Sequence, residues 1–393
     1  MMRLGKRAAV VTAAGVLAAV SVTGCSGSID TDAVVATVGD EEITLGVANF
    51  YARLTQGEYE TYYASMMGMT AEDMWAQEYD EDTTFEEQIK DSVMESLEDM
   101  YVLSQHAADY DIALTEEEES AISDAAEQFE ADNTDAAKEA VSGYKKDIEK
   151  VLELVTIQNK MDSAMKEGVD EEVSDEEAAQ KSMQYVLFSY TTTDDSGNST
   201  ELTDEEKEEL KTTAQSLADR TAAGEEFATV AEELGAEAQT ATFDSESTSP
   251  NEDLIAAADA LQNEGDVTEL VETDSGIYVA ELTSLLDREA TDAEKESIVE
   301  QRRQDQFDSL LEEWKDAIEI EVNDRVWNKV DFIDQGVTVV TPEEETDTTE
   351  DSGTDTTTEG TESTDGTDST DTSGTDAAAD SGSTTDDTAD SAE

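Results

Sequence analysis

Apolar residues recur along the first part of the chain with spacings that are typical of amphipathic helices. After a predicted hairpin over 34–45, three runs place their apolar residues three and four positions apart, which puts them on one helix face. Two of these runs begin with capping-box patterns, at Thr84–Glu87 and Thr115–Glu118. The pattern therefore predicts a largely helical lobe over residues 34–175.

The period changes near residue 180. Residues 183–190 are rich in β-branched and aromatic side chains and predict a strand. A polar hairpin-like insertion, a helix capped by Thr203, two short helical stretches and a closing strand over 276–282 follow. This order predicts an α+β domain over 178–286, so the fold class of the whole chain is α+β.

Helical spacing returns after this domain and then ends in a segment of very different composition. The chain predicts a helix over 291–318 and a strand over 318–322. From 342 to 393 it has no Lys, Arg, aromatic, Leu, Ile or Val. Such a segment cannot bury enough apolar surface to offset its ordering entropy, so we predict a disordered acidic tail rich in Thr and Ser.

The first 25 residues have the pattern of a bacterial secretion signal. Basic residues precede an apolar stretch over 8–22, which is too short to span a bilayer, and small residues lead to the sole cysteine, Cys25. The run Val22-Thr23-Gly24-Cys25 resembles a lipobox. It predicts removal of residues 1–24, a diacylated Cys25 with a tether over 25–33, and a location outside the cytoplasm at the outer face of the membrane. An uncleaved anchor or a buried thiol is the alternative.

Composition excludes several functions. The formal charge is −79, and a chain so poor in Lys and Arg cannot bind a nucleic-acid backbone. With His106, on a predicted helix, as the only histidine and Cys25 taken by lipid, we expect neither Ser-His-Asp nor Cys-His catalysis, nor one of the usual zinc sites. We expect no cofactor and no metal. A solvated, repulsive surface explains the charge, with diffuse cation binding as the alternative.

Aromatic and methionine residues are concentrated between the hairpin and the first long helix. Flexible methionines beside aromatic rings suit an adaptable apolar surface that accepts many partners, although an ordinary helix core is the alternative. The residues predicted to bind such partners are Tyr59, Tyr62, Tyr63, Met66, Met67, Met69, Met74 and Trp75.

Residues 183–286 resemble a parvulin (PpiC-type) peptidyl-prolyl isomerase domain. The family's A-x-H-I-L aligns with 183–187, its G-x-x-F-x-x-L-A with 224–231, its G-E-V-S with 265–268 and its G-Y-H-I-I-K with 276–281. The V-x-G-x-x-I-T start of the N-terminal domain of SurA and PrsA type foldases also matches residues 38–44. The chain therefore resembles PrsA/SurA-type foldase lipoproteins with a degenerate parvulin domain.

This resemblance implies a chaperone that binds unfolded or nascent secreted polypeptides in a groove between the lobe and the parvulin-like domain. It also implies that residues 290–335 return to complete the lobe. An acidic surface lipoprotein that serves adhesion or cation binding, without chaperone activity, is the alternative function.

The resemblance places the candidate catalytic residues as well. Both family histidines fall on tyrosines, Tyr185 and Tyr278, and Asp244 falls near the family's acidic or cysteine member. Leu254 stands where the family usually carries an aromatic residue that grips proline, and we include it among the client-binding candidates. Two phenols could preserve a neutral hydrogen-bonding pair, so the survival of isomerase activity is left open; ordinary core strand residues are the alternative.

Overall fold

The computed structural model describes residues 19–24, 29–63, 66, 68–80, 83–193 and 199–340. The predicted lipid-attachment residue Cys25, the predicted tail over 342–393 and most of the predicted signal peptide lie outside the described residues. Within the described part of the chain, no helix is both long enough and apolar enough to cross a membrane.

The N-terminal lobe combines short strands with longer helices. The predicted hairpin is present, and both capping boxes form at Thr84 and Thr115, whose side chains accept from the backbone N–H groups of Glu87 and Glu118. In chain order the elements are β1 (Val20–Gly24), β2 (Val34–Val38), β3 (Glu41–Thr44), α1 (Leu45–Glu58), a π-helical turn (Tyr59–Tyr63), α2 (Ala71–Trp75), α3 (Phe85–His106), a 3-10 turn (Ala107–Tyr110), α4 (Glu116–Asp132), α5 (Asp135–Val141) and α6 (Lys145–Met165).

The middle of the chain forms an antiparallel sheet with helices on both faces. Its elements are β4 (Lys181–Ser189), β5 (Thr191–Thr193), β6 (Ser199–Glu201), α7 (Asp204–Ala222), α8 (Phe227–Glu233), β7 (Gln239–Phe243), α9 (Glu252–Asp259), β8 (Val271–Glu272) and β9 (Gly276–Ser284). The strand order is β7-β4-β9-β8, while β5 and β6 form a separate hairpin. The predicted α+β fold is confirmed.

Alternation along β4 and β9 divides this domain into two cores. Val186 and Phe188 of β4 point to the face covered by α7 and α8, whereas Met183 and Tyr185 point to the face covered by α9. Strand β7 was not predicted, because only Phe243 of its five residues is buried and its apolar pattern is correspondingly weak.

The C-terminal segment lies against the first lobe. It comprises α10 (Arg288–Ala317), β10 (Ile320–Val322), α11 (Asp324–Trp327) and β11 (Gln335–Val339). Helix α10 contacts α3 and α6, with Phe307, Leu311 and Trp314 packed on their buried residues. Strand β10 pairs with β2, and β11 pairs with β1. The first and last of the described residues thus contribute to one core.

A buried arginine connects α1 to the C-terminal segment. Arg53 is 3% exposed, and its Nη1 donates to Gln56 Oε1 at 2.5 Å, to the carbonyl of Asp331 at 2.9 Å and to that of Gln335 at 3.2 Å. Burial lowers the pKa of Arg53 to about 10, even though Glu60 opposes the change. The guanidinium therefore remains charged at neutral pH and satisfies carbonyls from a segment about 280 residues away.

Glu60 completes this network from the π-helical turn. Its Oε1 accepts from Gln56 Nε2 at 2.5 Å and from the Trp75 indole at 2.9 Å, and its Oε2 accepts the backbone N–H of Val337 at 2.8 Å. Burial raises its pKa, while these bonds and Arg53 oppose the rise. One carboxylate therefore positions α2 and β11 relative to α1.

We predict that Arg53→Ala destabilises the lobe strongly. It leaves Gln56 and the carbonyls of Asp331 and Gln335 without their charged donor, and it leaves the buried Glu60 without a nearby positive charge. Such a change typically costs about 3–5 kcal/mol. The free energy of unfolding, measured by urea denaturation of residues 26–393, should fall by that amount. Arg325→Ala removes an exposed arginine and is the matched control. An equal, small loss in both variants would contradict the role assigned to this network.

Candidate functional site

The two tyrosines that replace the family histidines lie side by side in the central sheet. Tyr185 is on β4 and Tyr278 on the neighbouring β9, with ring centroids 6.2 Å apart. They are 9% and 6% exposed, and they pack in the same core as Leu254 of α9, which is fully buried. Leu254 is therefore a core residue rather than a surface for clients, because α9 turns it inward onto the sheet.

The hydroxyl of Tyr185 already has a partner within the domain. It donates to Gln239 Oε1 of β7 at 2.6 Å. Burial, and then the nearby Tyr278, raise the pKa of Tyr185, so its phenol is neutral at neutral pH. It can exchange hydrogen bonds but cannot serve as an ionised base. Gln239 was missed in the sequence because it belongs to the strand that the apolar pattern did not reveal.

Asp244 does not join the tyrosines in any hydrogen bond that the structure describes. Its carboxylate accepts from Ser247 Oγ at 2.8 Å, from Gln180 Nε2 at 3.0 Å and from the backbone N–H of Glu246 at 2.9 Å. Partial burial opposes ionisation of Asp244, but these hydrogen bonds outweigh it and lower its pKa. The observed bonds order the turn after β7.

The predicted binding cluster between the hairpin and α3 divides by burial. Met74 and Trp75 are core residues, because α2 lies with its inner face on the lobe. The Trp75 ring stacks on Phe85 at 5.4 Å and contacts Phe332 at 4.9 Å. These two residues support the lobe from inside and do not form a surface that a client can reach.

The remaining residues of the cluster lie nearer to solvent. Tyr62, Tyr63 and Met66 are 57%, 45% and 75% exposed, and we call these three the aromatic patch. Tyr59 is half-buried, with its ring 5.1 Å from that of Tyr63. Met69 is also half-buried, and its sulfur accepts from Gln77 Nε2 at 3.1 Å. Met67 lies outside the described residues.

The single histidine has a packing role away from this site. The His106 ring stacks on Trp314 of α10 with centroids 4.1 Å apart, and its Nδ1 lies 3.0 Å from Asp109 Oδ2. It therefore belongs to the contact between α3 and α10.

The four-stranded antiparallel sheet with helices on both faces, and a polar pair on its two central strands, defines an α+β domain of the parvulin class. Residues 186–284 match the family described as rotamase, PPIC-type PPIase domain. This match confirms the parvulin-type domain predicted from the sequence, so the chain contains a PPIC-type domain. No curated protein matches the chain.

Among solved structures, the chain is similar to foldases and SurA-like chaperones of low sequence identity. The match to the foldase PrsA of Streptococcus pneumoniae has 19% sequence identity and a TM-score of 0.26, and it covers 66% of this chain and 97% of the PrsA chain. The match to PrsA of Lactococcus lactis has 12% identity and a TM-score of 0.32, and it covers 76% of this chain and 97% of the other. A SurA-like chaperone structure from Campylobacter jejuni is 11% identical, with 74% and 99% covered and a TM-score of 0.25.

Proposed function

We propose that this protein is an extracytoplasmic foldase that holds unfolded secreted polypeptides while lipid on Cys25 keeps it at the membrane. The observation that carries the proposal is the PPIC-type domain at 186–284, in a chain whose separate lobe exposes the aromatic patch. The resemblance of residues 38–44 to the start of SurA and PrsA type foldases agrees with it. A client groove between the two parts stays a prediction.

The aromatic patch suits weak, reversible contact with many sequences. Full burial of one large apolar side chain contributes about 1.5–3 kcal/mol, so a client that covers Tyr63 and Met66 gains enough to bind but not enough to be trapped. Methionine adapts its shape to different partners. The net charge of −79 opposes coaggregation of the chaperone with other copies of itself.

The parvulin-type domain lacks the imidazoles of its family, and we infer that its isomerase activity is lost. Rotation about a prolyl bond has a barrier of about 20 kcal/mol, which an isomerase lowers by holding the twisted amide in a suitable pocket. Here Tyr185 and Tyr278 are buried against each other, and the Tyr185 hydroxyl is bonded to Gln239. The two phenols therefore belong to the core of the domain and do not form an exposed pair that a prolyl peptide could contact.

We predict that Tyr63→Ser combined with Met66→Ser weakens client holding. Residues 26–393 should suppress aggregation of an unfolded secreted protein, and the variant should require about fivefold more protein for equal suppression, which corresponds to about 1 kcal/mol. The matched control is Leu285→Ser with Leu286→Ser, since these residues are 41% and 37% exposed but lie in the other domain. Equal suppression by all three proteins would rule out the aromatic patch as the client-binding surface.

We predict that residues 26–393 do not accelerate cis-trans isomerisation of a prolyl tetrapeptide beyond the rate in buffer. The reason is that the tyrosine pair is buried and its hydrogen bond is already made. The variant Tyr185→Phe with Tyr278→Phe should behave identically in a protease-coupled assay. Acceleration by the unmodified protein that this double variant abolishes would show that the phenols replace the imidazoles in catalysis.

We predict that Cys25 carries the lipid. Cells that express the full chain and are fed an alkyne-labelled fatty acid should yield a labelled protein whose sequence begins at residue 25. Cys25→Ala should abolish the label, because the thioether cannot form, whereas Ser26→Ala should retain it. Labelling of Cys25→Ala, or a mature protein that still begins at Met1, would exclude lipid anchoring at this position.

A further inference from the structure

Strand β1 lies at an unexpected place for a segment next to a predicted cleavage site. It pairs antiparallel with β11 over five residues, from Val20 opposite Val339 to Gly24 opposite Gln335. Val20 and Val22 pack against the main core of the lobe, whereas Ser21 and Thr23 are exposed. The segment therefore occupies a strand position within the fold.

The opposite edge of β11 is held by the π-helical turn. The backbone N–H of Val337 donates to Glu60 Oε2, and that of Val339 donates to Thr61 Oγ1, both at 2.8 Å. Because N–H groups alternate in direction along a strand, those of Gly336 and Thr338 face β1. The N–H of Val340 extends this series, since it donates to the carbonyl of Ala19 at 2.8 Å.

Cleavage before Cys25 would remove β1 and leave these groups unpaired. A strand whose edge is unpaired and which lies on an apolar core can pair with another extended chain. We propose that the edge of β11, once β1 has been cleaved away, binds an extended segment of an unfolded client as an added antiparallel strand. This inference rests on the proposed function, because it requires that residues 1–24 are removed when Cys25 receives its lipid.

We call the position that β1 occupies beside β11 the slot. The contacts of β1 indicate which segments fit it. At the start, the backbone N–H of Val20 donates to Oδ1 of Asn133 at 2.8 Å. Asn133 is buried, and its Nδ2 donates to the carbonyl of Phe129 at 2.9 Å, which fixes the direction of Oδ1. A side-chain acceptor of fixed orientation therefore receives the backbone N–H of the first residue of any strand that enters.

The far end of the slot selects glycine. Gly24 has φ of +97°, and a Cβ added there would lie 2.2 Å from the carbonyl oxygen of Asp334. The two positions filled by Val20 and Val22 require apolar side chains of similar size, whereas Ser21 and Thr23 are exposed and select no particular side chain. The expected ligand is an extended segment with two β-branched residues two positions apart, followed two positions later by glycine.

Peptide binding tests this directly with two forms of the protein. A fluorescent peptide with the sequence of residues 19–24 is titrated into residues 26–393 and into residues 19–393 carrying Cys25→Ser, which keep β1 in place. Fluorescence anisotropy should show saturable binding to the shorter chain and binding at least about tenfold weaker to the longer one. A peptide with Gly24→Ala should also lose about tenfold, while the matched Ser21→Ala peptide should bind normally.

Several outcomes would overturn the proposal. Equal peptide binding by both chains, or equal binding of the Gly24→Ala peptide, would show that the position of β1 is not the binding site. A dimer of the shorter chain that the peptide cannot dissociate would show that a second copy occupies the edge of β11. Loss of native near-ultraviolet circular dichroism in the chain without β1 would show that β1 is a permanent part of the lobe. Peptide binding without suppression of aggregation would support the slot and reject the chaperone function; suppression without peptide binding would do the opposite.

Discussion

The buried polar network around Arg53 and Glu60 is the interaction on which the rest of the structure depends. In this network, side chains of α1 and the π-helical turn form hydrogen bonds with backbone groups of the C-terminal segment. Burying an arginine and a carboxylate is favourable only when their hydrogen bonds are made, and here the partners come from both sides of the intervening domain. The complete lobe therefore needs residues from both sides of that domain.

This constraint explains the arrangement of the two functional regions. The parvulin-type domain is an insertion between α6 and α10, with its own cores on both faces of its sheet. The lobe is closed by segments on either side of that insertion, and the Glu60 carboxylate ties β11 to the same turn that carries Tyr62 and Tyr63. The turn that carries the aromatic patch and strand β11 are thus neighbours in structure, although about 270 residues separate them in the chain, and the edge of β11 that pairs with β1 lies on the side away from the turn.

Local patterns predicted the local parts of this architecture. Capping residues, the hairpin over 34–45 and the β-branched and aromatic run that predicted β4 are properties of short segments, and each matches the structure. The aromatic patch was also predicted, but together with Trp75, which is buried. Burial depends on what covers a residue, and one of the rings that cover Trp75 belongs to Phe332, far away in the sequence.

The features that sequence patterns missed all depend on distant partners. Strand β7 has a weak pattern because only Phe243 is buried, and the pairing of β1 with β11 joins the two ends of the lobe. The family alignment pairs Tyr185 with Tyr278, and the two residues lie on adjacent strands, whereas Asp244 bonds to its own turn and to Gln180. The motifs therefore carried no information about the hydrogen bonds of these side chains, which depend on Gln239 and Gln180.

Hydrogen-deuterium exchange of residues 26–393, with and without an unfolded secreted client, tests most directly the claim that the lobe holds clients. We expect slower exchange on client binding in residues 59–63 and 335–339, with no change in α7 of the parvulin-type domain. Slower exchange confined to residues 181–284, with the lobe unaffected, would contradict it.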